Sequence, residues 1–182
     1  MKKIFLLLIF FQLLTHQNLI AKDLWAEAKE GDKIILIRHA LAPGGGDPPG
    51  FKIDDCKTQR NLDKVGIEQS KAIGKLFKKN KIPVDKVLSS QWCRCKDTAK
   101  YAFGNFKTFD ALNSFYDEKF HKFKKKQIKD LNKYLNEWDS EKNLVLVTHF
   151  VVISEMLNIG VSSGELAISE KNLDLIGTIK IN

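Results

Sequence analysis

The chain has 182 residues, a formal net charge of +8 and 43% hydrophobic residues. That is enough for one domain with a real core and too little for two large ones. Charged residues at 29%, only four prolines and no internal repeat exclude a membrane bundle, a Pro-rich chain and a solenoid.

The first 21 residues read as an export signal. Lys2 and Lys3 form a short basic region, Ile4 to Leu14 is apolar except for Gln12, and Leu19-Ile20-Ala21 offers a cut after Ala21. The apolar run is shorter than the roughly 20 residues that span a bilayer. The mature chain is then Lys22 to Asn182, a single domain in a periplasmic or secreted setting with no stable membrane insertion. An oxidising compartment changes the meaning of the three cysteines. No paired CxxC motif points to structural zinc. Cys93 and Cys95 are too close to pair comfortably on a helix, so a disulfide from Cys56 to one of them is expected, with the partner open.

Lys22 to Lys29 reads as a short amphipathic helix ended by Gly31-Asp32. Lys33 to Ile37 is a continuous apolar run, the pattern of a strand buried on both faces. The long stretch Leu41 to Arg60, with Gly44-Gly45-Gly46-Asp47-Pro48-Pro49, is a loop of the length that usually serves function. Asp63 is a helix N-cap, and Val65, Ile67, Ala72, Ile73, Leu76 and Phe77 form the apolar face of a helix running to about Lys79. Lys86 to Ser89 reads as a strand, Ser90 to Ala102 as a serine-capped helix, and Phe106 to Phe109 as a further short strand. Lys122 to Trp138 is one helix with Phe123, Gln127, Ile128, Leu131, Leu135 and Trp138 on one face. The six lysines of Lys119 to Lys129 then form a solvated helix face. Asn143 to Thr148 is another buried strand and Val151 to Leu157 a helix. Glu165 to Ile168 and Leu173 to Ile181 alternate like an edge hairpin. Strands interleaved with helices predict a three-layer α/β/α sandwich around a mostly parallel central sheet.

In such sheets ligands bind beyond the carboxyl ends of the strands. One strand ends in Arg38-His39, another in Thr148-His149, and the strand between them in Ser89-Ser90, with Arg94 one turn into the next helix. Two guanidinium groups suit the oxygens of a phosphoryl group. A neutral imidazole is a competent nucleophile towards phosphorus. The residue types together point to a phosphate pocket. Trp92 either lines it or belongs to the core. Arg60 either touches substrate or makes a salt bridge. Gly44 to Gly46 lack the Lys-Ser or Lys-Thr of a P-loop.

These residues resemble the histidine phosphatase (phosphoglycerate mutase-like) superfamily. Arg38-His39-Ala40 is similar to its RHG signature with Ala for Gly. Arg60-Asn61-Leu62 with Gly66, Gln69 and Ala72 resembles its R-x-L-x-x-x-G-x-x-Q-A segment. Ser89-Ser90, Arg94, Thr98 and Ala99 match S-S-x-x-x-R-x-x-x-T-A, and Val147-Thr148-His149 matches the strand of its second histidine. The four segments come in order over residues 33 to 157.

The resemblance implies that His39 is the phosphorylated nucleophile and that Arg38, Arg94 and His149 complete the pocket. It implies a small phosphorylated substrate, phosphomonoester hydrolysis through a phosphohistidine, no metal and no organic cofactor. Many relatives carry a glutamate proton donor some twenty-odd residues after the second arginine, where this chain has Asn113-Ser114. Asp117 and Glu118 lie at the wrong offset. Asp47, eight residues after His39, is the preferred acid candidate, with Asp54 and Asp55 behind it. A phosphohistidine-protein phosphatase and a non-catalytic phosphate- or sugar-phosphate-binding module are the competing readings. Export argues against the first and against nucleic acid as a partner.

Overall fold

The structure, a computed structural model, describes residues 23–181. The export-signal reading over residues 1–21 lies outside them.

Among the described residues six strands and six helices follow one another: α1 (Leu24–Glu30), β1 (Ile34–Arg38), α2 (Lys64–Lys79), β2 (Val84–Ser89), α3 (Cys93–Phe103), β3 (Lys107–Thr108), α4 (Glu118–His121), α5 (Lys124–Glu137), β4 (Asn143–Thr148), α6 (Phe150–Leu157), β5 (Leu166–Ser169) and β6 (Leu175–Ile179). They form one sheet in the order β3-β2-β4-β1-β5-β6. β3, β2, β4 and β1 are mutually parallel, and β5 and β6 are antiparallel additions beyond β1. The predicted three-layer sandwich is what forms.

Both faces of the central strands are buried, which explains their unbroken apolar sequences. Ile35 and Ile37 of β1, with Val145 and Val147 of β4, pack with Ala28, Ile73, Phe77 and Ala99 from α1, α2 and α3. Ile34 and Leu36, with Leu144 and Leu146, face the opposite way against Leu131 and Leu135 of α5 and Val152 and Ile153 of α6. A side-chain period of two delivers alternate residues to the two helical layers.

Local chemistry sets the ends. Asp63 caps α2 as predicted, accepting from the Gly66 N–H at 2.8 Å. α3 corrects the serine-cap expectation. It starts at Cys93, Trp92 occupies the cap position with no side-chain cap bond, and Ser90 is drawn away to His149 and Asn113. The helix predicted from Lys122 to Trp138 is α5, which starts two residues later at Lys124, and a separate short helix, α4, precedes it. Phe123 is 45% exposed and Val65 61% exposed, so neither belongs to the apolar face assigned to it. Of the C-terminal hairpin only β6 is an edge, because β5 also pairs with β1.

Two glycines let backbones meet. A Cβ on Gly66 falls 2.0 Å from the Leu41 carbonyl oxygen, and one on Gly74 falls 2.1 Å from that of Ala102. The first contact seats α2 against the chain just beyond β1. Gln69 reinforces it, accepting from the Leu41 N–H and donating to the carbonyls of Ser163 and Ile181.

Candidate active site

The register Arg38↔Thr148 makes the carboxyl ends of β1 and β4 level. The His39 N–H extends the ladder to the Thr148 carbonyl at 2.9 Å, so His39 and His149 emerge side by side with ring centroids 5.5 Å apart. On the other side of β4, β2 ends at Ser89, and the Ser90 N–H donates to the Val147 carbonyl. Three adjacent parallel strands thus open onto one cavity of about 210 Å³, lined among others by Arg38, His39, Arg60, Arg94 and His149. His39, Arg94 and His149 are each 3% exposed.

The His39 ring has a defined tautomer. Its Nδ1 lies 2.8 Å from the Ala40 carbonyl oxygen, which only accepts, so Nδ1 carries the proton and Nε2 the lone pair. Burial, then the Arg94 charge, hold its pKa well below the usual imidazole range, against the opposing Ala40 bond. The ring is therefore neutral at pH 7. Ala40 is not in the positive-φ region, so a Cβ fits where the family signature has glycine. Its N–H donates to Thr98 Oγ1 at 2.9 Å, and Thr98 donates to the Arg94 carbonyl, tying the segment just beyond β1 to α3.

His149 is the opposite tautomer. Its Nδ1 faces an Arg94 terminal nitrogen at 3.4 Å, and arginine only donates, so Nδ1 holds the lone pair. Nε2–H then donates to Ser90 Oγ at 2.8 Å, and Ser90 donates to Asn113 Oδ1 at 3.1 Å. Burial, then Arg94 and His39, push the His149 pKa well down.

Three guanidinium groups surround the imidazoles. Arg38 donates to the Val161 carbonyl at 2.7 Å, and Arg60 to the carbonyls of Gly46 and Ala42. Burial first, then Arg94, lower the pKa of Arg38 and Arg60 from its ordinary value; both stay cationic at neutral pH. The Nε atoms of Arg38 and Arg94 are buried without a hydrogen-bond partner. Buried donors of this kind among like charges suit an oxyanion.

Asp47 sits inside the cavity wall rather than at a free turn. Oδ1 accepts from Arg94 at 2.8 Å and from the Arg60 N–H at 3.0 Å, and Oδ2 accepts from the Trp92 indole N–H at 3.0 Å. Both members of the Asp47–Arg94 ion pair are buried, with side chains 7% and 4% exposed. Its geometry is that of an acceptor holding Arg94, Arg60 and Trp92 in place. Trp92 is both core and site: it is 1% exposed, yet its ring lies 5.3 Å from that of His149. Arg60 reaches the cavity, and its guanidinium also braces the glycine loop. Ser114 and Asp117 line the cavity; Asp54, Asp55 and Glu118 do not. Asp55 instead accepts from the Lys57 N–H in a short 3-10 turn.

The disulfide is Cys56–Cys93, with Cα atoms 5.6 Å apart. It joins the loop carrying Asp47 and Arg60 to the start of α3, where Arg94 follows. Gln59 adds a second tie by accepting from the Cys93 N–H at 2.9 Å. Cys95 is the buried free thiol, and burial pushes its pKa up to about 12. Sequence reasoning placed Ser90 at a strand end and Asn113 near the acid position without joining either to His149, and it did not single out Phe150. Phe150 follows His149 directly and lines the cavity mouth, but adjacency along the chain does not say which way a ring points.

No family model matches the chain, and no curated protein does. Solved structures do. SixA from Agrobacterium tumefaciens, described as a putative phosphohistidine phosphatase, is 21% identical, covering 82% of this chain and 98% of that one, with a TM-score of 0.57. The protein histidine phosphatase SixA complexed with tungstate is 13% identical, covering 81% and 96%, at 0.54. Phosphoglycerate mutase from Thermus thermophilus is 13% identical, covering 82% and 99%, at 0.59. The chain therefore has the phosphoglycerate mutase-like fold, shared with the SixA histidine phosphatases.

Proposed function

We propose that the protein is a phosphomonoester hydrolase that works through a phosphohistidine on His39. The observation that carries this is the pairing of a neutral His39, its Nε2 lone pair fixed by the Nδ1–H bond to Ala40, with three arginines around one cavity. The arginines bind the phosphoryl oxygens. The Nε2 lone pair attacks phosphorus, and the P–O bond to the leaving group breaks with its electron pair going to that oxygen. A water then attacks phosphorus, the N–P pair returns to His39, and inorganic phosphate leaves with the water's oxygen. Arginine charge spread over the equatorial oxygens lowers both barriers. No step calls on a metal or an organic cofactor.

His149 contributes to the same charge. Its Nδ1 lone pair points towards Arg94. A phosphoryl dianion beside it favours the imidazolium, so binding draws a proton onto Nδ1 and turns it into a donor.

Export is the companion proposal. It is supported by the Met1 to Ala21 pattern and by the Cys56–Cys93 bridge, which persists in an oxidising compartment. A phosphohistidine-protein phosphatase is the second reading. Asp47 is occupied by three donors and Asn113-Ser114 stand where many relatives carry an acid, which suits a leaving group as good as imidazole. Hydrolysis of p-nitrophenyl phosphate in EDTA, with His39→Ala beside it, tests the main reading. Activity that survives EDTA, vanishes in the variant and leaves an acid-labile phosphoryl group on His39 is the expected result. Phosphate binding without turnover points to a binding module.

A further inference from the structure

The outer half of the cavity differs in chemistry from its floor. The floor is cationic, built from Arg38, Arg60, Arg94 and the two imidazoles, whereas Tyr116, Phe120 and Phe150 line the mouth. Tyr116 is 67% exposed and Phe150 41% exposed. Phe120 is fixed from behind by Trp92 and Phe51, with ring centroids 5.4 and 5.9 Å away. Phe150 is steadied by the Arg38 guanidinium, 5.6 Å from its ring centre. Isolated exposed apolar side chains are ordinary. Two of them on the rim of one cavity, directly above an anion-binding floor, form a surface for the uncharged part of the same ligand. Aromatic rings select flat rings, by offset stacking or edge contact.

The supply of protons points the same way. The carboxylates lining the cavity, among the described residues, are Asp47 and Asp117. Asp47 spends both oxygens on three donors. Asp117 has a half-exposed side chain and lies 4.0 Å from the Lys119 ammonium. An alkoxide is about as basic as hydroxide, whose conjugate water has a pKa of about 15.7, and it needs a proton as the P–O bond breaks. A phenolate, with a pKa of about 10, leaves without one.

We infer that the site selects aryl phosphate monoesters, with Tyr116 and Phe150 holding the ring of the leaving group while the arginines hold its phosphoryl group. This rests on the hydrolase reading and adds the substrate class. The P–O electron pair departs on the phenolate oxygen, which takes its proton from bulk water at the open mouth. The phosphoryl group passes to His39 and then to water, as above.

Two non-hydrolysable probes separate this subsite from catalysis. Phenylphosphonate and methylphosphonate present the same anionic head with and without a ring, and each is titrated into the disulfide-bonded protein by calorimetry. The expected result is binding about tenfold tighter for phenylphosphonate. Tyr116→Ala and Phe150→Ala each erode that preference and together abolish it, read as the ratio of the two probes' affinities. Both side chains are exposed, so the variants keep the fold. Equal affinity for the two probes, or a preference that survives in the double variant, overturns the proposal. Where the esters are turned over, a kcat/KM for phenyl phosphate no greater than that for glycerol 2-phosphate also overturns it. Retained probe preference with no turnover of either ester defeats the hydrolase reading and leaves the aromatic subsite standing.

Discussion

Replacing Asp47 with asparagine separates its two conceivable roles, proton donor and positioning residue. In the native site the Asp47–Arg94 pair is 2.8 Å apart with both side chains almost fully buried. Asp47→Asn keeps the shape and removes the charge. Arg94 is left as a buried cation among Arg38 and Arg60, with no carboxylate in contact. The new amide N–H₂, with Oδ1 kept for the Arg60 N–H, faces the Trp92 indole N–H, donor against donor. Breaking a buried pair from one side costs about 3–5 kcal/mol. For a domain of this size each kcal/mol moves Tm by about 2–4 °C, so a fall of at least about 6 °C is expected. The assay pairs thermal or urea melts with kcat/KM for p-nitrophenyl phosphate and for glycerol 2-phosphate. A positioning role lowers both rates by a similar factor, because Arg94 loses its geometry for every substrate. A loss of stability under about 1 kcal/mol, or a rate loss confined to the alkyl ester, refutes this reasoning and restores Asp47 as the acid.

Three further outcomes are expected. Cys56→Ser with Cys93→Ser opens a link spanning 37 residues, and chain entropy puts the cost at about 4 kcal/mol; urea melts of the variant and of the reduced wild type check it, and matching midpoints with the oxidised protein would contradict it. Because the folded pKa values of His39 and His149 lie well below 6.5, the unfolded chain binds the extra protons in acid. Stability from these groups is thus fully present above about pH 6.5 and falls below it, by up to about 1.4 kcal/mol per pH unit for each ring until its folded pKa is reached; melts from pH 4 to 8 with His39→Ala as control measure the slope, and a flat profile would sink the assignment. Gly66→Ala drives a methyl into the Leu41 carbonyl and is expected to cost about 1–3 kcal/mol, with weaker phosphate binding in the same protein as β1's trailing segment shifts.

Much of the frame is written locally. Unbroken apolar runs at 33–37 and 143–148 announce strands buried on both faces, and Asp63 announces the start of α2, because burial pattern and capping act over a few residues. The carboxyl-end placement of Arg38, His39, Ser90 and His149 follows from those strands, and the sequence resemblance names the same residues. Other choices depend on contacts between distant segments. Cys93 rather than Cys95 meets Cys56, since the helical turn that buries Cys95 against Thr148 and His149 directs Cys93 to the loop. Asp47 becomes the partner of Arg94 across 47 positions, which no loop propensity encodes. Val65 has the right periodicity for the core and still faces solvent, because the loop backbone at Leu41 reaches α2 at Gly66 rather than at Val65. The sequence alone determined the layers, the strand ends and the chemistry delivered to them. Packing decided which donor faces which acceptor, because those pairings arise only where segments remote in sequence are brought within hydrogen-bond reach.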